Sequence, residues 1–168
     1  MGDALEVCDA VDQEYKERFG RGYGLLDCYR LEDAEIVLVT AGTIGSTARV
    51  VIDQLRGEGK KVGLLRIRLF RPFPKARLIE SLKHVSKIAV IDRNLSPGQE
   101  GVFSEELKSA LFSRVNDIPV FAFVLGLGGT NVSPSDIKRV LQITEDMDEA
   151  PLNPILNLED ENAHRSGF

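Results

Sequence analysis

RIRLFRPFP (66–74), followed by KARLIESLKHVSKIAVIDRNLSPGQEG (75–101), carries the reading of the fold. A buried-strand pattern runs into Arg71-Pro72-Phe73-Pro74. A short helix with apolar Leu78, Ile79 and Leu82 follows, and a second buried strand, Lys87 to Ile91, ends at Asp92-Arg93-Asn94 before a Ser-Pro-Gly loop. Prolines that close a strand and open a helix, twice in a row with polar groups at the turn, describe two β-to-α turns of an α/β sheet. Ligands and partner domains of such folds meet the sheet at the C-terminal ends of its strands.

The same grammar extends to both sides. Upstream, Glu35 to Ala41 is a continuous apolar run closed by Gly42, and Ala48, Val51, Ile52 and Leu55 then recur at helical spacing. Val62 to Leu69 is the next strand. Downstream, Phe103, Leu107, Ala110 and Leu111 mark a helix, and Val120 to Leu125 the last strand. Ser133 then caps a helix with Pro134 at its first position, Asp136 in its first turn and Ile137, Val140 and Leu141 on its inner face. Near-continuously apolar strands alternating with helices predict a three-layer α/β/α domain around a mostly parallel, five-stranded sheet. The weaker strand pattern at Leu25 to Leu31 suits an antiparallel edge.

Residues 1–22 read as a linker or arm helix, with Leu5, Cys8, Val11, Tyr15 and Phe19 near one face and Gly20 and Gly22 ending it. The α/β domain then spans 23–144. Residues 145–168 form an acidic, extended tail with Pro151 and Pro154, which Leu152, Ile155 and Leu158 could pin to the surface.

Composition excludes several functions. The net charge is −5, from 21 basic and 26 acidic residues, opposite to what a nucleic-acid-binding domain needs. No apolar run nears the ~20 residues that span a bilayer, and the acidic amphipathic start lacks the basic flank and apolar core of a signal peptide. Cys8 and Cys28 are far apart, so no iron–sulfur or zinc spacing exists, and a cytoplasmic location is expected.

Four turns are predicted to converge on one sheet edge: Gly42 to Thr47, Arg71 to Pro74, Asp92 to Gly101 and Gly126 to Asn131. Gly42, Thr43, Gly45 and Ser46 open a helix and form a candidate anion site. They match neither G-x-G-x-x-G nor a phosphate-loop motif, and Arg66 and Arg68 stand where a ribose-binding acid belongs. Arg68, Arg71, Phe73, Asp92, Arg93 and Asn131 are the candidate interface residues. Phe73, held between two prolines, reads equally as an interface plug or as local loop packing. Asp92 and Arg93 at a strand end could orient a substrate; more often such a pair satisfies loop backbone or bridges domains. His84 and His164 have no nucleophile or carboxylate pattern beside them, and no metal-ligand spacing occurs. No catalytic residue is assigned.

The runs YGLLDCYRLEDAEIVLVTAGTIGSTARVVIDQLRGEGKKVGLLRIRLFRPFP (23–74), AVIDRNLSPGQEG (89–101) and GLGGTNVSPSDI (126–137), in this order, closely resemble the C-terminal part of the α subunit of 2-oxoacid:ferredoxin oxidoreductases, of the pyruvate or 2-ketoisovalerate type. The resemblance covers about Phe19 to Ile143. It implies core domain II of that family, similar to the transketolase C-terminal domain. It further implies a complete enzyme that uses thiamine diphosphate, magnesium, coenzyme A and iron–sulfur clusters to convert 2-oxoacids to acyl-CoA, with ferredoxin as an indirect partner. This sequence has neither the family's G-D-G…N thiamine-diphosphate motif nor clustered cysteines. The expected role is therefore docking against the other domains and subunits, with the isolated chain inactive. The alternative is a stand-alone α/β module that binds a small anion, coenzyme A or a nucleotide.

Overall fold

In the computed structural model, residues 2–96, 100–112, 114 and 118–158 are described. The middle of the Pro-Gly loop after Asn94, and His164 in the tail, lie outside them. Five strands and five helices alternate: α1 (Gly2–Phe19), β1 (Leu26–Tyr29), β2 (Ile36–Ala41), α2 (Ile44–Gly57), β3 (Val62–Ile67), α3 (Lys75–Leu82), β4 (Lys87–Asp92), α4 (Val102–Leu111), β5 (Val120–Val124) and α5 (Pro134–Asp146).

The sheet order is β1-β3-β2-β4-β5. β2, β3, β4 and β5 run parallel, while β1 pairs antiparallel with β3 at the edge, with Asp27 opposite Arg66. The parallel strands are buried on both faces, and alternate residues feed two cores. Leu38, Leu64, Ala89, Phe121 and Phe123 meet α2 and α5 on one face. Val39, Leu65, Ile88 and Val90 meet α3 and α4 on the other. The expected α/β/α layering and the antiparallel edge strand are both present.

Local chemistry sets the helix boundaries. The α5 cap is reciprocal: the Ser133 hydroxyl accepts from the Asp136 backbone N–H, and the Asp136 carboxylate accepts from the Ser133 N–H. Pro74 precedes α3 and lacks the N–H that the first turn would leave unpaired anyway.

Two terminal segments depart in detail from the sequence reading. No side chain described in α1 is fully buried. Cys8, Asp12 and Tyr15 turn toward the domain, whereas Val11 and Phe19 are exposed. A single helical stripe is about 100° wide, and Val11 falls on its flank. Polar bonds dock the arm: Arg77 of α3 holds Asp9 at 2.9 Å, and Asp12 accepts from the Tyr23 backbone N–H at 2.6 Å. In the tail, Ile155 is buried and adds a parallel bridge beside Phe123; its N–H donates to the Ala122 carbonyl and its carbonyl accepts from Val124. Leu158 packs on the same core, but Leu152 is exposed. The bridge to Phe123 holds Ile155 against the sheet, whereas Leu152 lies in the bend before it.

Candidate functional site

Parallel strands bring the C-terminal ends of β2, β3, β4 and β5 to one edge, and the four expected turns lie there. The chain leaves β2 toward β3 and leaves β4 toward β5, so the order reverses between β2 and β4. That gap is the switch point at which open α/β sheets hold ligands. Here it is crossed by the buried Thr40 hydroxyl, which donates to the Ile91 carbonyl at 3.2 Å.

Asp92 ends β4 beside this gap and is fully buried. One carboxylate oxygen accepts from the Phe103 N–H at 2.9 Å; the other accepts from the Ser104 N–H at 3.1 Å and the Ser104 hydroxyl at 2.9 Å. The carboxylate thus caps α4 from a neighbouring strand, serving orphan N–H groups that no residue at the cap position serves. Gly101 makes this approach possible, because a β-carbon there would lie 2.2 Å from the Asp92 side chain. Asp92 faces α4 and not solvent, so any part it has in docking is exerted through the loop it holds.

Burial pushes the Asp92 carboxyl above its ordinary 3.8, outweighing the hydrogen bonds from Phe103 and Ser104 that pull it down. The folded chain therefore binds this proton more tightly than the unfolded chain. The resulting stabilisation is complete below about 3.8 and is lost as pH rises through the folded value. Urea unfolding across this range should show the stability of the wild type relative to Asp92→Asn falling as pH rises. A rising difference would contradict the assignment.

Phe73 is buried as well. It meets Phe70 edge-on at 6.0 Å, and Phe70 meets Phe103 at 5.0 Å. Of its two readings, the structure places the ring in local packing, within the α3/α4 core. Arg71 is exposed beside it. Its guanidinium stacks on Phe70 at 3.7 Å from the ring centre and pairs with Glu106 at 2.7 Å. Arg93 points to the Gly126 and Thr130 carbonyls, each 3.4 Å away, and so ties the β4 turn to the β5 turn. Asn131 is exposed and lines a groove of about 350 Å³ with Leu127 and Leu156.

At the β2 turn, Gly42 has φ +61° and Thr43 makes no side-chain cap. The backbone N–H groups of Ser46 and Thr47 bond the Thr43 carbonyl. Gly45 is covered by Arg66: a β-carbon there would lie 2.6 Å from the arginine stem. Arg68 pairs with Asp27 at 2.8 Å, and Arg49 holds the other Asp27 oxygen at 2.6 Å. Sequence reasoning missed Ser104, Gly101, Glu106 and Asp27. Each acts across a gap in sequence, without a local spacing signal. His84 is likewise structural, with Nε2 2.8 Å from the Leu31 carbonyl. Among the described residues, no group of three or more His, Cys, Asp or Glu could hold a metal ion, and no helix is long and apolar enough to cross a membrane.

Several known proteins are similar in sequence. It is 40% identical over 145 residues to pyruvate synthase subunit PorA of Methanothermobacter thermautotrophicus, covering 86% of this chain and 37% of the relative. It is also 40% identical over 146 residues to ketoisovalerate oxidoreductase subunit VorA of Pyrococcus horikoshii, covering 86% of this chain and 36% of that protein. The chain therefore spans little more than a third of the length of these relatives. The fold matches that of a solved 2-oxoglutarate:ferredoxin oxidoreductase from Magnetococcus marinus, with TM-score 0.54 and 20% identity over 77% of this chain and 21% of that one. Residues 34–137 match the sequence profile of the pyruvate:ferredoxin oxidoreductase core domain II. That match takes in β2 through the first turn of α5, and the chain belongs to this family.

Proposed function

We propose that this chain is the second core domain of the α subunit of a thiamine-diphosphate-dependent 2-oxoacid:ferredoxin oxidoreductase. Its role in the oxidative decarboxylation of 2-oxoacids to acyl-CoA is docking. Residues 1–22 act as the arm, 23–144 as the domain and 145–168 as the tail. The observation that carries this reading is how the polar groups at the strand-end edge are used. Asp92 caps α4, Arg71 is stacked and paired, and Arg93 binds two carbonyls. These groups brace loops and leave a rigid surface bearing Arg71, Arg93 and Asn131, as a domain interface requires. Arg68 extends that surface toward β1.

Thiamine diphosphate with magnesium and the iron–sulfur clusters require carboxylate or thiolate ligand sets. Among the described residues no group of three or more His, Cys, Asp or Glu could hold a cluster, and we assign the iron–sulfur clusters to other parts of the complex. No step of the chemistry is routed through residues of this chain.

The test uses the complete α subunit reconstituted with its partner subunits. Arg71→Ala should weaken assembly by roughly tenfold or more, as truncation of an interface arginine does. Ferredoxin reduction per assembled complex and the KM for the 2-oxoacid should stay unchanged. The stability of the 168-residue chain should shift by less than about 1 kcal/mol, because the Glu106 pair is partly solvated. Wild-type assembly of Arg71→Ala, Arg93→Ala and Asn131→Ala alike would remove the docking role.

A further inference from the structure

A cleft of mixed polar and apolar lining lies between α1 and the C-terminal end of β3. It has a volume of about 640 Å³ and is walled by Val7, Val11 and Tyr15 of the arm and by Arg66, Arg68 and Leu69 of the domain. A cleft of this size and mixed lining suits a small organic ligand.

Its charge is unbalanced. Arg66 and Arg68 line the cleft against one acid, Asp12; Asp27, outside the lining, is shared by Arg49 and Arg68. Although Asp27 stands directly opposite Arg66 in the β1–β3 register, its two oxygens are taken by Arg49 at 2.6 Å and Arg68 at 2.8 Å. Arg49 also lies over the Tyr29 ring at 4.6 Å and Arg68 over Tyr23 at 5.2 Å, so both are held in place. The Arg66 side chain makes no hydrogen bond or ion pair among the described residues, yet it is half-buried, with its stem laid across Gly45. Asp12, the acid on the wall, is turned to the Tyr23 N–H at 2.6 Å. A partly desolvated guanidinium without an acceptor is unfavourable, and its planar fork fits a carboxylate or phosphate in two-point contact.

We propose that this cleft binds an amphipathic organic anion, with its oxyanion head on Arg66 and its apolar or aromatic body between the arm helix and the Leu69 side of the domain. Arg68 adds charge at the head, while Val7, Val11 and Tyr15 cover the body. Gly45 is required because only glycine leaves room for the Arg66 stem at the wall.

The test is calorimetry and NMR titration of the 168-residue chain with two probe pairs: adenosine monophosphate against adenosine, and naphthylacetate against naphthylethanol. The pairs separate phosphate from carboxylate heads. The anionic member of at least one pair should bind, moving the Arg66 side-chain N–H and the Tyr15 and Tyr23 resonances. Its neutral counterpart should bind at least about tenfold more weakly, the scale of one charge-assisted contact. Arg66→Gln should lose about tenfold or more, with Arg66→Lys recovering part of it. Gly45→Ala, which keeps every charge, should weaken binding by displacing Arg66, and a folded spectrum qualifies each variant. Silence of both anions at about 10 mM, well beyond the millimolar range of weak contacts, would overturn the site. So would a charged-to-neutral ratio below about tenfold, or an Arg66→Gln variant that binds like wild type.

Discussion

Gly101→Ala should destabilise the chain by about 2–4 kcal/mol, measured by urea or thermal unfolding, although it adds one methyl group. The cause is steric. Gly101 has ordinary extended backbone, φ −75° and ψ 150°, so a side chain costs nothing conformationally. The methyl would, however, occupy space 2.2 Å from the Asp92 β-carbon. Asp92 cannot retreat without surrendering its bonds to Phe103 and Ser104, so the penalty combines overpacking with loss of a helix cap. Asp92→Ala should cost a comparable amount, because it leaves the buried Ser104 hydroxyl and two N–H groups unserved. Asp92→Gly, which removes the β-carbon as well as the carboxylate, should relieve the clash, so the Asp92→Gly/Gly101→Ala double variant should be much less destabilised than the sum of its two single variants. Additive losses would show that Gly101 and Asp92 do not share one contact.

Ile155→Ala should cost about 2–4 kcal/mol, the usual range for truncating a buried isoleucine, even though the residue lies in a segment without regular structure. Ile155 is only 6% exposed and packs into the α2/α5 core. Its backbone also completes the β5 edge through the Ala122 and Val124 bonds. Leu152→Ala, by contrast, should change stability by less than about 0.5 kcal/mol, since that side chain is 85% exposed. Equal effects at the two positions would mean that the tail does not dock through Ile155. The contrast bears on docking too. β5 is an edge strand, and an uncovered edge pairs readily with other chains; the tail covers part of it.

The α/β alternation, the buried parallel strands and the Ser133-Pro134-Asp136 cap are legible in the residues alone, and the weak pattern at Leu25 to Leu31 allowed an antiparallel edge. These follow from periodicity and from residues within one turn of one another, which is the range over which backbone geometry and capping act. The motif order across 23–137 also carried the family resemblance. What the edge residues do was decided only by the tertiary structure. Asp92 and Arg93 are adjacent in sequence, yet one is buried under α4 and the other reaches the β5 turn. Phe73 had two equal readings until Phe70 and the α3/α4 core were placed around it. Arg66 and Arg68 read as a matched pair two residues apart. Asp27, on a strand some forty residues upstream, bonds one and leaves the other without an acceptor. Strand pairing brings such groups together regardless of their separation in the chain, and partners chosen that way leave no spacing to read.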